Sequence, residues 1–163
     1  PTSRLGANLR EQKGWTYGVG GQVSPLKGKG PVLITTSVQT PYGADAVGEI
    51  VREFDKIKQE PVSDEELKAA KNGILHSFAG RYSTLGQVAS LLADQFAYDL
   101  PLNSDEVMYD QIAKVSKDNI LAVANRVLKK DQTVLVAVGD LEALEAPIAH
   151  MGMGKVIVEK EAP

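Results

Sequence analysis

The chain has 163 residues with 43% hydrophobic content, which is one domain's worth of sequence and enough for a real core. It carries 18 basic and 21 acidic residues, so its net charge of −3 argues against a surface that binds nucleic acid or another polyanion. Cysteine is absent, which excludes disulfides and thiolate sites and leaves the compartment open between cytosol and periplasm. The sequence shows no run of membrane-spanning length and no signal peptide.

The first predicted element is the end of an amphipathic helix. Leu5 and Leu9 are four residues apart on one helix face, and Gly14 tolerates the left-handed conformation at which helices stop. A strand is predicted to follow, so Arg10 and Tyr17 lie on opposite sides of a helix-to-strand corner. A guanidinium and a phenol there could converge on an oxyanion or a substrate carbonyl. The alternative is an arginine paired with a surface carboxylate and a tyrosine packed in a sheet.

A hairpin is predicted next. Alternation with a period of two indicates strands over residues 15–24 and 31–40. The link at 25–30 is rich in glycine and lysine, which makes the two strands antiparallel with a solvated tip. Gly20 and Gly21 inside the first strand indicate a bulge or a close backbone approach where a peptide could pass, although a simple kink in a twisted sheet is the alternative.

Five helices are predicted between residues 45 and 128. The first runs to the break at Pro61, with one apolar stripe and a solvated face that carries Glu49, Arg52, Glu53, Asp55 and Lys56. A capping box at residues 63–66 starts the second, which Gly80 ends, and Thr84 caps the third. The third has a predicted core stripe of Leu85, Val88, Leu91, Leu92 and Phe96. The last two begin near Asn103 and Ser116.

The continuous apolar run at residues 133–139 predicts a central strand, covered on both faces or on one face and by a neighbouring domain. A polar turn and short helix follow from Asp140, and residues 155–160 form a candidate last strand. Helices and strands are therefore segregated along the chain. This order predicts an α+β fold with an antiparallel or mixed sheet that helices cover on one face.

The residues available for chemistry are few. His76 and His150 are the two histidines, and neither has a second histidine at ligand spacing, so no zinc site is predicted in this chain. No serine lies in a G-x-S-x-G elbow. The remaining tyrosines are interpreted as packing residues: Tyr42, Tyr82, Tyr98 and Tyr109.

The segment L-R-E-x-x-G-x-x-Y at residues 9–17, with a serine–arginine–leucine helix before it and a long hairpin after it, resembles the second half-domain of the pitrilysin-like, or M16, zinc metallopeptidases. In that family two homologous domains face each other across a cavity. One carries an H-x-x-E-H zinc motif, and the other carries an arginine and a tyrosine with the spacing of Arg10 and Tyr17. The resemblance covers roughly residues 3–140.

The resemblance implies a LuxS/MPP-like metallohydrolase half-domain, with residues 1–163 as a single C-terminal domain. Because the chain opens without a methionine and partway through a helix, we expect a fragment that lacks its first strand, which would lie upstream of residue 1. The implied catalytic residues are Arg10 and Tyr17. Together with Gly20 and Gly21 they are the expected contacts of an extended peptide substrate, added to a sheet edge.

The resemblance also implies partners. Zinc would belong to a homologous zinc-motif half-domain or subunit, in a homo- or heterodimeric arrangement, and none would be bound by this chain. Alone, the chain is then expected to be inactive, and no membrane or nucleic-acid partner is predicted. The alternative is a catalytically inactive scaffold or binding module of the same fold, similar to the core subunits of respiratory complexes in which the zinc motif has decayed.

Overall fold

The computed structural model describes residues 3–24, 28 and 30–159, and these residues form two compact units. One unit combines the described residues of the ranges 1–58 and 125–163, and the other comprises residues 59–124. The fold is α+β with an antiparallel sheet, which confirms the predicted class. The assignment of residues 1–163 to a single domain stays a prediction.

The first unit begins with helix α1 (Arg4–Gly6), which widens at once into a π-helical turn (Ala7–Gln12). Ser3 caps α1, because its hydroxyl accepts the Gly6 N–H at 3.1 Å. Gly14 follows shortly after the turn, and its φ of +65° lies in the left-handed region. The predicted helix stop is therefore confirmed, and Leu9 on this turn is fully buried.

Strands β1 (Thr16–Val23) and β2 (Val32–Val38) form the predicted antiparallel pair. Their register runs from Thr16 opposite Val38 to Val23 opposite Val32, and one extra residue is accommodated in β1 between Thr16 and Val19. The bulge thus lies at Tyr17 and Gly18, whereas the sequence predicted it slightly later in the strand, at Gly20 and Gly21. The predicted hairpin tip lies largely outside the described residues.

After a 3₁₀ turn (Thr40–Tyr42), helix α2 (Gly43–Gln59) follows as predicted. Its charged residues do not all face solvent, however. Glu49 and Glu53 are only 7% and 8% exposed, so the prediction of a uniformly solvated charged face is wrong. The reason is that Ala46, Glu49 and Glu53 recur at helical spacing and share one inward side, where the two carboxylates find a hydrogen-bond donor.

The second unit is helical. It contains α3 (Asp64–Gly80), α4 (Leu85–Ala97), α5 (Ser104–Lys114) and the first part of α6 (Lys117–Val127). The capping box of α3 is confirmed in both directions: Ser63 Oγ accepts the Glu66 N–H at 3.1 Å, and Glu66 Oε2 accepts the Ser63 N–H at 2.8 Å. The buried apolar residues of the second unit are Val62, Phe78, Leu91 and Ala124.

Helix α4 departs from its predicted core stripe. Leu91 is buried, but Leu85 and Phe96 are almost fully exposed, so their predicted burial is wrong. The helix instead turns Gln95 inward, where Nε2 donates to the Leu102 carbonyl and to Ser104 Oγ, each at 3.1 Å. These two bonds to the amide nitrogen hold the helix in this rotation, while Gln95 Oε1 has no hydrogen-bond partner among the described residues.

The last described part of the first unit holds a 3₁₀ turn (Lys130–Gln132) and helix α7 (Leu141–His150), which Asp140 caps as predicted. The strand predicted at residues 133–139 does not form, and Val134, Val136 and Val138 are 86%, 80% and 94% exposed. The last predicted strand is likewise absent over 155–159, and Lys160 is not described. A strand needs a hydrogen-bonded partner, and the sheet of the described residues consists of β1 and β2.

No helix within the described ranges is long and apolar enough to cross a membrane.

Candidate functional site

Tyr17 stands at the bulge in β1 and is 99% exposed, so its phenol is presented to solvent rather than packed in the sheet. Bulges redirect side chains locally, because two residues of one strand face a single residue of the other. The interpretation of Tyr17 as a sheet-packing residue is therefore wrong.

Threonine hydroxyls surround the bulge. The Gly18 N–H donates to Thr16 Oγ1 at 3.1 Å, and Thr36 Oγ1 donates to the Gly18 carbonyl at 2.9 Å. Thr16 Oγ1 lies 2.7 Å from the carbonyl oxygen of Ser37 and 3.0 Å from Thr36 Oγ1. Thr16 is itself buried. Both backbone groups of Gly18 are thus bonded by side chains of the sheet.

A shallow groove of about 360 Å³ lies beside the bulge. It is lined from β1 by Thr16, Tyr17, Gly18 and Gly20, and from β2 by Thr35, Thr36 and Ser37. None of these described lining residues is charged. A Cβ built on Gly20 would lie 3.0 Å from Thr35 Oγ1 and 3.7 Å from the Thr35 carbonyl oxygen.

Arg10 lies on the π-helical turn, on the other side of Gly14 from Tyr17. Its Nε is 3.6 Å from Glu11 Oε1, and both side chains are more than half exposed. Such a pair contributes little to stability and leaves the guanidinium able to change partner. The structure therefore brings Tyr17 and Gly20 to one groove, while Arg10 and Gly21 are not among its lining residues.

The corner that carries both residues is anchored by a buried polar cluster that the sequence analysis missed. Asn8 Nδ2 donates to Glu49 Oε2 at 2.8 Å and to Glu53 Oε1 at 3.0 Å. All three side chains are buried, and Asn8 Oδ1 has no hydrogen-bond partner among the described residues. The available signal was the spacing of the two carboxylates with Ala46 on one side of α2.

Cations neutralise this cluster. Glu49 pairs with Lys13, whose Nζ is 3.4 Å from Oε1, and with Arg52, while Glu53 pairs with Lys56 at 3.1 Å. Burial raises the pKa of Glu49, but the Asn8 hydrogen bond and the charges of Arg52 and Lys13 outweigh burial, so the pKa lies below its ordinary value. Glu49 is therefore ionised at neutral pH.

Lys13 connects the cluster to an aromatic pair. Its Nζ lies 4.6 Å from the centroid of the Trp15 ring, and that ring stacks on Tyr42 with centroids 5.0 Å apart and planes 9° from parallel. Gln39 Nε2 donates to the Gly14 carbonyl at 3.2 Å. The residue that ends the helix is thus tied to the segment that follows β2.

The second unit has its own buried carboxylate, Asp105. Arg81 and the Tyr82 hydroxyl donate to it at 2.7 and 3.0 Å. Partial burial and the neighbouring Asp105 raise the pKa of Tyr82 above its ordinary value. Tyr82 therefore has a polar partner that its interpretation as a packing residue omitted, and the contact joins the end of α3 to the start of α5.

The donor set does not suit zinc. Among the described residues there is no group of three or more histidine, cysteine or acidic side chains that could hold a metal ion. His150 Nδ1 lies 2.6 Å from the Ala146 carbonyl within α7.

Residues 1–74 match the family model of the peptidase M16 inactive domain. Among solved structures, a peptidase M16 inactive domain from Pseudomonas fluorescens superposes with a TM-score of 0.70 at 23% identity, over 78% of this chain and 30% of that one. A protease from Helicobacter pylori gives 0.69 at 22% identity, again over 78% and 30%. This chain thus spans less than a third of each. No curated protein matches it.

Proposed function

Because residues 1–74 match the family model of the peptidase M16 inactive domain, we propose that this chain is the zinc-free half of a two-part zinc peptidase. In this role it contributes side chains to peptide hydrolysis in a cavity completed by a homologous half-domain or subunit that carries the zinc motif. By itself it has no peptidase activity. The residues that act on the substrate are Tyr17 and Arg10.

The observation that supports this proposal is the fully exposed Tyr17 hydroxyl at the rim of an uncharged groove. When a peptide carbonyl becomes tetrahedral, its oxygen gains negative charge, and a preplaced donor stabilises that charge. One donor of this kind lowers the barrier by about 3–4 kcal/mol. Tyr17 acts as this donor, and Arg10 leaves its weak pair with Glu11 to bind the same oxygen or the next carbonyl.

The groove fits an extended peptide. Its lining consists of glycine backbone and hydroxyl groups, which can bond to main-chain amides without selecting for charge. A Cβ built on Gly21 would meet no described atom within 4 Å, so a backbone can approach there, whereas at Gly20 the Thr35 hydroxyl lies close by. Peptide binding along the sheet then aligns one carbonyl with Tyr17.

Zinc enters this proposal as a property of the partner half. Among the described residues no group of side chains suits zinc, and the proposed roles of Tyr17 and Arg10 use no metal geometry. General base and activated water likewise belong to the partner half.

The test is Tyr17→Phe in the complete two-half enzyme, with casein as an unstructured substrate. The ring and its surroundings are kept, so we expect an unchanged fold and a kcat lower by about 10²–10³, the usual loss for an oxyanion donor. Arg10→Lys is also expected to be costly, because an ammonium lacks the planar fork of the guanidinium. Tyr109→Phe, whose ring packs edge-on against Phe78 in the second unit, is the matched control and should leave kcat unchanged.

A catalytically inactive scaffold or binding module is the second candidate. It is favoured by the position of Arg10, which pairs with Glu11 and does not line the groove. If Tyr17→Phe and Arg10→Lys change neither kcat nor KM, the pair is structural and the scaffold is the better description. If KM alone rises, the two residues bind substrate without acting in the transition state.

A further inference from the structure

The bulge that presents Tyr17 is built from two threonine side chains of neighbouring strands. We propose that Thr16 and Thr36 are positioning residues that hold the Tyr17 hydroxyl in its working place, an inference that rests on the proposed function of Tyr17. They do so through Gly18, the residue immediately after Tyr17 in β1.

The hydroxyl protons of the two threonines can be assigned from the geometry. A threonine hydroxyl donates one hydrogen bond and accepts up to two. Thr16 makes its shortest contact, 2.7 Å, with the Ser37 carbonyl, and it accepts the Gly18 N–H at 3.1 Å. Thr16 Oγ1 also lies 2.9 Å from the Gly18 carbonyl oxygen, but its single proton is taken by the shorter bond to Ser37, so Thr36 donates to the Gly18 carbonyl at 2.9 Å. Every proton has one acceptor.

This arrangement holds both peptide bonds that flank Gly18, the first of which follows Tyr17. The N–H of that peptide belongs to Gly18 and is bonded to Thr16 on the same strand, whereas the Gly18 carbonyl is bonded to Thr36 on β2. Thr16 also bonds the Ser37 carbonyl across the sheet, so both strands constrain the extra residue. Removing these bonds allows the bulge to rearrange, and a register slip of one residue changes the face to which Tyr17 points.

The hydroxyls are the part of each threonine that matters. Valine has the same shape and an equal preference for strands but cannot bond Gly18, whereas serine keeps the hydroxyl and loses only a methyl group. Gly18 carries no side chain, and a Cβ built there would meet no atom within 4 Å. Packing around Gly18 therefore does not hold the bulge, which leaves this role to the threonine hydroxyls.

The first experiment reads the bulge directly by amide hydrogen exchange in the complete protein labelled with ¹⁵N-glycine. We expect the Gly18 amide to exchange about tenfold faster in Thr16→Val, and Thr16→Ser to restore the original rate. Thr133→Val is the matched control, because it removes a hydroxyl that donates to the Lys129 carbonyl at 2.7 Å outside the sheet. An unchanged Gly18 rate in Thr16→Val would overturn the inference.

The second experiment is a double-mutant cycle on casein hydrolysis by the two-half enzyme. Thr36→Val should lower kcat about tenfold when Tyr17 is present and less than about twofold in the Tyr17→Phe background, since its effect passes through the Tyr17 hydroxyl. Thr36→Ser should retain the original kcat.

The outcomes separate this inference from the proposed function. If Tyr17→Phe lowers kcat but Thr16→Val and Thr36→Val do not, the positioning role is wrong and the proposed function stands. The same conclusion follows if Thr36→Val lowers kcat as much in the Tyr17→Phe background as in wild type. If Tyr17→Phe has no effect on kcat, the proposed function fails and the positioning role fails with it.

Discussion

Glu49 shows how one buried side chain supports a site to which it contributes no atom. It accepts the Asn8 amide beneath the π-helical turn and pairs with Lys13, which lies three residues after Arg10 and over the Trp15 ring. The pKa of Glu49 is lowered in the folded protein. Its ionised form is therefore stabilised by folding, and that stabilisation is present above its ordinary pKa of 4.5 and is lost as the pH falls through the lowered value.

Glu49→Gln should therefore reduce stability at neutral pH by about 1–2 kcal/mol, because the ion pairs are lost while an acceptor for Asn8 remains. Below the ordinary pKa of 4.5 the difference from wild type should shrink as the pH falls through the lowered value, because the wild-type carboxylate becomes protonated first in the unfolded chain and then in the folded protein. Urea unfolding followed by the fluorescence of Trp15, the single tryptophan, reports on this unit. Glu145→Gln, at an exposed position in α7, should change neither quantity. A pH-independent difference for Glu49→Gln would contradict the assignment.

At the scale of elements, local signals at the ends of helices were sufficient to locate them. The Gly14 stop, the Ser63 capping box and the Thr84 cap depend on contacts within a few residues. The interior of an element is different, since the side it buries depends on what it faces. In α2, Glu49 and Glu53 face inward because Asn8 donates to both of them. In α4, Gln95 faces inward because it donates to Leu102 and Ser104, while Leu85 and Phe96 are exposed.

Gly14→Ala tests the helix stop that separates Arg10 from Tyr17. A Cβ there meets no atom within 4 Å, so the cost is backbone strain at positive φ, about 1–2 kcal/mol. Trp15 fluorescence during urea unfolding measures this loss.

Gly48→Ala is the matched control in the same unit. It lies inside α2, where its Cβ would be in ordinary contact, 3.9 Å from Met151 Cε. We expect it to raise stability by about 0.5–1 kcal/mol. Equal effects of the two changes would show that space, not backbone conformation, decides the outcome at Gly14.

At the scale of the whole molecule, the positions of the possible metal ligands indicate whether the chain can bind zinc. The two histidines lie in different helices, and the described part of the chain has no group of three candidate ligands. We expect this chain, saturated with zinc and then dialysed, to retain well under one zinc ion per chain when measured by atomic emission, and to hydrolyse no casein. One tightly bound zinc per chain would contradict the proposal that the metal belongs to a partner half.

The sequence by itself determined the helix boundaries, the antiparallel hairpin and the spacing of Arg10 and Tyr17, because propensity, capping and alternation act over a few residues. The tertiary structure alone decided the bulge at Tyr17, the burial of Glu49 and Glu53, and the absence of pairing at residues 133–139. Each of these depends on a partner distant in the chain: Thr36 and Ser37 for the bulge, Asn8 for the carboxylates, and a neighbouring strand for the apolar run. Local periodicity carries no information about such partners, so they emerge only when the chain is folded.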